Sequence, residues 1–200
     1  DKSITQSREK VLITGATGFI GTALCRRLVE ENFDVRVLLR SPAKRALLPS
    51  SLIAEPVLGD LHDQQSLAQA CSGVAIILHL AGVAHVSIST KGDDTNVAGS
   101  ENLLKAALQK KVRRFIFLSS SLANAAAINS KDMTAYGKGK RTTELLLLDA
   151  ANKSQIEVLI LRPVNVYGIK MKGNIASMIS MIHRGRLPRL PALSSEISLL

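Results

Sequence analysis

Tryptophan is missing from this sequence, and only two tyrosines and four phenylalanines stand among its 200 residues. So few rings leave no stacking platform of the kind that single-strand nucleic-acid binders use. Cysteine is scarcer still: Cys25 and Cys71 form neither a metal-ligand spacing nor a disulfide framework, and both read as buried thiols in a reducing compartment. No apolar run approaches the roughly 18 residues that suggest a membrane span, and residues 1–10 are polar where a signal peptide would place its apolar segment. A soluble, unexported, cytoplasmic protein is the expectation. Acidic residues are outnumbered, 16 against 26 Lys and Arg, for a net charge of +10. Such a chain seeks anions. Its bases, however, come in scattered pairs at 26–27, 44–45, 110–111 and 113–114 rather than in one stripe, so neither nucleic acid nor a membrane is the expected partner.

With 46% apolar residues the chain can bury a sizeable core. Short apolar runs alternate with longer amphipathic ones from Lys10 to Ile169, the pattern of βαβ units building a Rossmann-type, doubly wound parallel sheet with helices on both faces. Strands are expected over 11–13, 35–39, 54–58, 74–80, 114–118 and 158–161. The run 74–80 is apolar almost throughout, as a central strand covered on both faces would be. The helix after the first strand presents Ile20, Leu24 and Leu28 on one side and Arg26, Arg27, Glu30 and Glu31 on the other. A loop follows at Pro42 and Pro49, and a short helix is capped by Asp63 and ended by Gly73. Longer helices are expected over 94–111, where Gly99 marks close packing, over 136–152 and over 175–183. Residues 1–170 read as one nucleotide-binding domain, and 171–200 as the start of a second lobe that is largely absent from this chain.

The sharpest local signal is Thr14-Gly15-Ala16-Thr17-Gly18-Phe19-Ile20-Gly21, placed between the first strand and the first helix. Gly15 would permit the tight turn, Gly18 would let backbone approach a pyrophosphate, and Gly21 would let the helix pack on its strand. Open N–H groups at the helix start would meet the phosphates. At the end of the second strand, where a carboxylate would bind a ribose hydroxyl, stands Arg40, whose guanidinium suits a 2′-phosphate. NADP(H) is therefore favoured, with NAD(H) as the other choice. Further on, Tyr136 and Lys140 lie four apart, on one helix face, where an ammonium can stabilise a phenolate. A hydroxyl from Ser119, Ser120 or Ser121 could hold the substrate oxygen beside that phenol. His79 reads as a satisfied core histidine, and His183 sits at a helix end.

These residues resemble the extended short-chain dehydrogenases/reductases, the NAD-dependent epimerase/dehydratase type. The resemblance covers nearly the whole chain and rests on the glycine loop at 14–21, Gly59-Asp60-Leu61, His79-Leu80-Ala81-Gly82, Asn96-Val97-Ala98-Gly99, the serine run, the Tyr136/Lys140 pair and Arg162-Pro163-Val164-Asn165-Val166-Tyr167-Gly168. It implies that Asp60 and Leu61 contact adenine and that Leu80, Ala81 and Gly82 run along the cofactor ribose. It implies a structural Asn96, Pro163 and Val164 beneath the nicotinamide, and the loop residues Thr17, Phe19 and Ile20 beside the three glycines. Ser120, Tyr136 and Lys140 correspond to the catalytic set: Tyr136 as acid/base, Lys140 on the nicotinamide ribose and lowering the tyrosine pKa. His85, Ser121 and Asn165 are weaker substrate candidates. Residues 79–86 and 110–121 most resemble bacterial enzymes that act on UDP-N-acetylhexosamines in surface polysaccharide biosynthesis.

The activity so implied is epimerisation or keto reduction at C4 of a UDP-sugar, by a homodimer joined through the helices at 100–111 and 136–152. The segment 122–135 is shorter than usual in the family, and Arg40 departs from the acidic pattern of many epimerases, which tilts the expectation towards a net reductase. Two other readings stay open: an NADPH-dependent reductase of a steroid-like or flavonoid-like carbonyl, and a non-catalytic dinucleotide sensor. The fold alone does not separate them.

Overall fold

Val11 and Ile13 point to one side of their strand and Leu12 to the other, and all three are buried, so hydrophobic burial acts on both faces of this segment. In the computed structural model, which describes residues 8–48, 54–82, 91–124, 134–169, 171 and 174–186, the segment is β1 (Lys10–Thr14). It lies inside a six-stranded parallel sheet with β2 (Asp34–Leu39), β3 (Glu55–Leu58), β4 (Ile76–His79), β5 (Arg114–Leu118) and β6 (Glu157–Leu161), in the order β3-β2-β1-β4-β5-β6. The Rossmann-type fold expected from the alternating runs is the one observed. Each strand begins or ends within two residues of its expectation.

The helices are α1 (Phe19–Glu30), α2 (Gln64–Ala70), α3 (Lys91–Gln109), α4 (Ala135–Asn152) and α5 (Asn174–His183). Leu12, Ile77, Phe115 and Phe117 form one apolar layer with Leu67 of α2, Leu103 of α3 and Leu147 of α4. Val11, Ile13, Val35 and Val37 form the other with Cys25 of α1. In α1 the fully buried positions are Gly21 and Cys25, whereas Ile20, Leu24 and Leu28 are only half-buried. The stripe is therefore rotated from the one the apolar residues suggested, because the closest approach to the sheet admits only small side chains. Both cysteines are free and buried, as read from the sequence, and burial pushes their thiols up, to about 11 for Cys25 and about 12 for Cys71.

Helix ends follow local chemistry. Asp63 caps α2 by accepting from the Gln65 N–H at 3.0 Å. Left-handed residues stand just past the helices: Asn32, Gly73, Lys111, Ser154 and Gly185. Behind α1, α3 and α4 the N–H three residues past the last helical one closes on a carbonyl five residues back, as from Phe33 to Leu28. The loop expected at Pro42 is a 3-10 turn, Pro42–Leu47, and a second such turn, Ser121–Ala123, follows β5.

The chain divides into two compact units, Asp1–Arg162 and Pro163–Leu200. The second unit contains α5, with Met178, Ile179, Met181 and Ile182 exposed on it. Among the described residues no helix is long and apolar enough to cross a membrane.

One charged side chain is built into the sheet. Arg36 of β2 is buried; its Nη1 donates to the carbonyls of Gln69, Ala70 and Ser72 at the end of α2, and its Nη2 pairs with both oxygens of Glu55 on β3. Removing it leaves those carbonyls without their donor, while Glu55, half-exposed, keeps its pair with Lys10. Arg36→Met is expected to lower the unfolding free energy in urea by roughly 2 kcal/mol; an unchanged midpoint and slope would show that this staple is dispensable.

Candidate active site

The strand order reverses between β1 and β4, and the turns leaving their carboxyl ends therefore diverge and open a crevice. Gly15 turns the chain there with a φ of +75°, a conformation that side chains with a Cβ resist. A Cβ on Gly15 would stand 2.7 Å from the Ala81 nitrogen, so the loop and the segment after β4 press together. A Cβ on Gly21 would lie 2.2 Å from the Gly15 carbonyl oxygen and 2.8 Å from the Ala16 Cα. The sequence reading had Gly21 packing the helix on its strand; the structure replaces that neighbour with the loop's own backbone. Gly99, expected to mark close packing, faces the Leu61 side chain, 2.9 Å from a Cβ built there.

A cavity of about 350 Å3 fills the crevice. Thr14, Gly15, Thr17 and Gly18 form one wall, Leu80, Ala81 and Gly82 another, and Arg40, Lys44, Asp60, Leu61 and His62 surround the far end. Phe19, Ile20 and Gly21 do not line it but form the first turn of α1, whose cap residue Gly18 supplies no side-chain bond and whose first turn holds no acidic residue. The N–H groups there remain available to an anion. Asp60 Oδ1 accepts from the His62 N–H at 2.9 Å, so this carboxylate is turned partly into its own loop. Arg40 is exposed, and neither it nor Lys44 has an ion pair among the described residues. Sequence reasoning missed Lys44, because the 3-10 turn after Pro42, from which it lines the same cavity as Arg40, reads as an open loop.

A second, narrower cleft shares Ala81, Gly82 and Asn96 with the first and is lined by Phe117, Tyr136 and Lys140. Lys140 is buried; its Nζ lies 5.7 Å from the Tyr136 ring centre and 4.6 Å from that of Phe117, and it donates to the Leu118 carbonyl at 2.7 Å. Burial drives its pKa down to about 8, against an opposing pull from Glu144. Burial also raises the Tyr136 pKa. This is the opposite direction to the lowering expected from Lys140, and burial of the phenol is its cause. Ser120 lines neither cavity; its hydroxyl accepts from the Leu122 N–H at 3.2 Å and caps the turn Ser121–Ala123, which also holds Ser121. That turn is nevertheless pressed against the start of α4: a Cβ on Gly137 would stand 2.5 Å from the Leu122 carbonyl oxygen. Pro163, Val164 and Asn165 belong to the second unit. His85 lies outside the described residues.

His79 joins the two cavities from behind. Its Nδ1 lies 2.7 Å from the Thr14 hydroxyl and its Nε2 lies 2.8 Å from that of Ser100. The Ser100 hydroxyl donates to the Asn96 carbonyl, so it must accept from His79, which fixes the proton on Nε2. Nδ1 then accepts from Thr14, whose oxygen accepts in turn from the Ala81 N–H at 3.3 Å. The ring is fully buried between Phe115 and Phe117, and burial, aided by Lys140, pushes it down to about 3. It is the satisfied core histidine read from the sequence.

The model of a protein family described as the NAD dependent epimerase/dehydratase family matches residues 11–197. A UDP-glucose 4-epimerase of Vibrio cholerae is 30% identical over 194 residues, covering 88% of this chain and 58% of that protein. A ceramide reductase of Caulobacter vibrioides is 30% identical over 190 residues, covering 95% of this chain and 56% of that one. The chain thus spans just over half the length of these relatives. Among solved structures, MoeE5 in complex with UDP-glucose and NAD superposes with a TM-score of 0.71 at 29% identity, over 88% of this chain and 62% of that one.

Lys140 offers a direct check on the cleft. It titrates near pH 8 when folded and at its ordinary 10.5 when unfolded, so between these values the unfolded state holds the extra proton and stability rises with pH. Measured against Lys140→Met, the wild type should gain about 3 kcal/mol between pH 8 and 10.5 in urea unfolding. A difference that stays flat over that range would mean the amine is solvated.

Proposed function

Because this chain belongs to the NAD dependent epimerase/dehydratase family, we propose that it acts at C4 of a UDP-sugar, a UDP-hexose or UDP-N-acetylhexosamine, as a 4-epimerase or 4-keto reductase. The observation that carries this reading is that the two cavities share Ala81, Gly82 and Asn96 as lining residues, which sets the Tyr136/Lys140 pair beside the crevice over the glycine loop. That crevice fits a dinucleotide. Gly15 and Gly21 of its glycine loop leave no room for a Cβ, the first turn of α1 offers open donors, and two cations without an ion pair among the described residues stand at its far end.

In this reading Gly15, Thr17, Gly18, Phe19, Ile20 and Gly21 hold the pyrophosphate, Asp60 and Leu61 the adenine, and Leu80 to Gly82 the ribose. When bound, the nicotinamide takes up or returns a hydride at the sugar carbon. The protein's part is the proton. Tyr136 exchanges it with the oxygen on C4, Ser120 orients that oxygen, and Lys140 holds the ribose and lends positive charge to the phenol below about pH 8. His85 and Ser121 are candidates for the sugar. Arg40 and Lys44 support NADP(H) over NAD(H), since two cations line the far end of the crevice and the position directly after β2 is an arginine rather than a carboxylate. Exposed Leu145 and Leu148 on α4 support a homodimer through 100–111 and 136–152, and the free buried thiols support action in the cytoplasm.

The resemblance to a ceramide reductase over 95% of the chain supports a second reading, reduction of an apolar carbonyl. Titration calorimetry with NADPH, NADH and UDP separates the two: UDP binding supports the nucleotide sugar, and dinucleotide binding with no affinity for UDP supports the apolar substrate. Arg40→Ala is expected to weaken NADPH at least tenfold while leaving NADH within twofold, the size of one charge-assisted phosphate contact. Tyr136→Phe should keep dinucleotide affinity and lose turnover by about a thousandfold on UDP-glucose or UDP-N-acetylglucosamine. Wild-type turnover in that variant would remove Tyr136 from the reaction.

A further inference from the structure

Glu144, one helical turn beyond Lys140, is completely buried, yet no part of the scheme above uses it. Burial alone would raise its pKa, but donors from Arg162, Ser119 and Arg141 outweigh that and hold the carboxyl below its usual range, so it is charged. Oε1 accepts from the Ser119 hydroxyl at 2.6 Å and from Arg162 Nε at 2.8 Å, and Oε2 accepts from Arg162 Nη2 at 2.7 Å and Arg141 Nη1 at 3.0 Å. Ser119 follows β5 and immediately precedes Ser120. Arg162 follows β6, and the two strand ends are also joined by the Ser119 N–H on the Leu161 carbonyl at 2.8 Å. Lys140 grips the same strand end one residue earlier, at the Leu118 carbonyl.

We propose that Glu144 is a positioning residue: its carboxylate locks the helix that carries Tyr136 and Lys140 to the end of β5 that presents Ser120, and so sets the spacing of the reacting groups. α4 thus holds the strand end at two consecutive residues through two side chains one turn apart. A buried carboxylate answered on both oxygens by a bidentate guanidinium is rigid in a way that an apolar contact is not. Charge is the second part of the role. Among the described residues the ionisable groups facing Lys140 are Tyr136 and Glu144 on its own helix and His79 on β4, which is neutral; Arg141 and Arg162 are spent on Glu144. Glu144 is therefore the anion that keeps the lysine protonated near neutrality.

The inference rests on the reading of Tyr136 and Lys140 as the reacting pair, and the test keeps the two apart. Lysine carbon-13 NMR, with the Lys140 signal assigned by Lys140→Arg, follows the amine without any substrate. Calorimetry with NADH and NADPH and steady-state kinetics on UDP-glucose follow the site. In Glu144→Gln the lysine midpoint is expected to fall by about one pH unit and kcat by about tenfold or more, with KM within twofold. Glu144→Asp, which keeps the charge but shortens the reach, should restore the midpoint and not kcat. Ser119→Ala removes only the tie to the strand, disturbs the fold least, and should lower kcat about threefold to tenfold with the midpoint unchanged. If Glu144→Gln fails to fold, Ser119→Ala decides alone. A folded Glu144→Gln with wild-type midpoint, affinity and kcat, or a Ser119→Ala with wild-type kcat, overturns the proposal; absence of dinucleotide binding in the wild type would instead overturn the functional reading and leave the lysine titration to be judged by itself.

Discussion

The parallel pairing of β1 with β4 is the constraint on which the rest of this molecule depends. Thr14 and His79 are register partners at the ends of these two strands, and their side chains meet at 2.7 Å where the sheet changes direction. Because the Ser100 hydroxyl donates to the Asn96 carbonyl, every donor in the chain from Ala81 through Thr14, His79 and Ser100 has a single direction. The glycine loop, the segment after β4 and α3 are thereby referred to one another by a buried polar relay. Protonating His79 would put two hydrogens between it and Thr14, and its burial between two phenylalanines works against that charge.

A second polar device is built at the ends of β5 and β6. Side chains on α4 reach the strand ends with an amine and, one turn later, with a carboxylate. Each would be costly to bury alone. Here the carboxylate is answered by two arginines, and the amine is eased by a carbonyl, an aromatic face and the carboxylate's own field. The helix is held in register by groups that have few alternative partners, which apolar packing against Leu147 and Phe117 would not enforce by itself.

The net charge of +10 is likewise divided by structure rather than by composition. Arg36 is consumed in stapling α2 and β3, Arg113 and Arg114 in pairs with Glu9 and Glu157, and Arg162 in the buried cluster. Arg40 and Lys44, in contrast, line the cavity with no acid paired to them among the described residues, so that part of the positive charge left over from ion pairing faces the crevice. The relatives with which this chain shares its family include both a UDP-glucose 4-epimerase and a ceramide reductase, at equal identity. Such breadth accords with a common binding sheet on which different chemistries are mounted.

Local rules were enough for the sheet, its helices and the glycine turn. Alternating burial at 11–13, the cap at Asp63 and the stop at Gly73 all depend on near neighbours in the chain, and near neighbours are what a sequence displays directly. The i, i+4 spacing of Tyr136 and Lys140 was legible for the same reason, and the same spacing from Lys140 to Glu144 was there to be read. What the spacing could not tell was that Glu144 is buried, because the arginine and serine that make burial tolerable lie 18 and 25 residues away. Nor could it place Lys44 on the same cavity as Arg40, or show that Gly21 is crowded by its own loop, or that burial raises the Tyr136 phenol despite its lysine. By itself the sequence determined which segments pair and which residue types reach the crevice; tertiary structure alone decided which of those charges are spent on one another and which stay free, because desolvation and close contact exist only once distant segments have met.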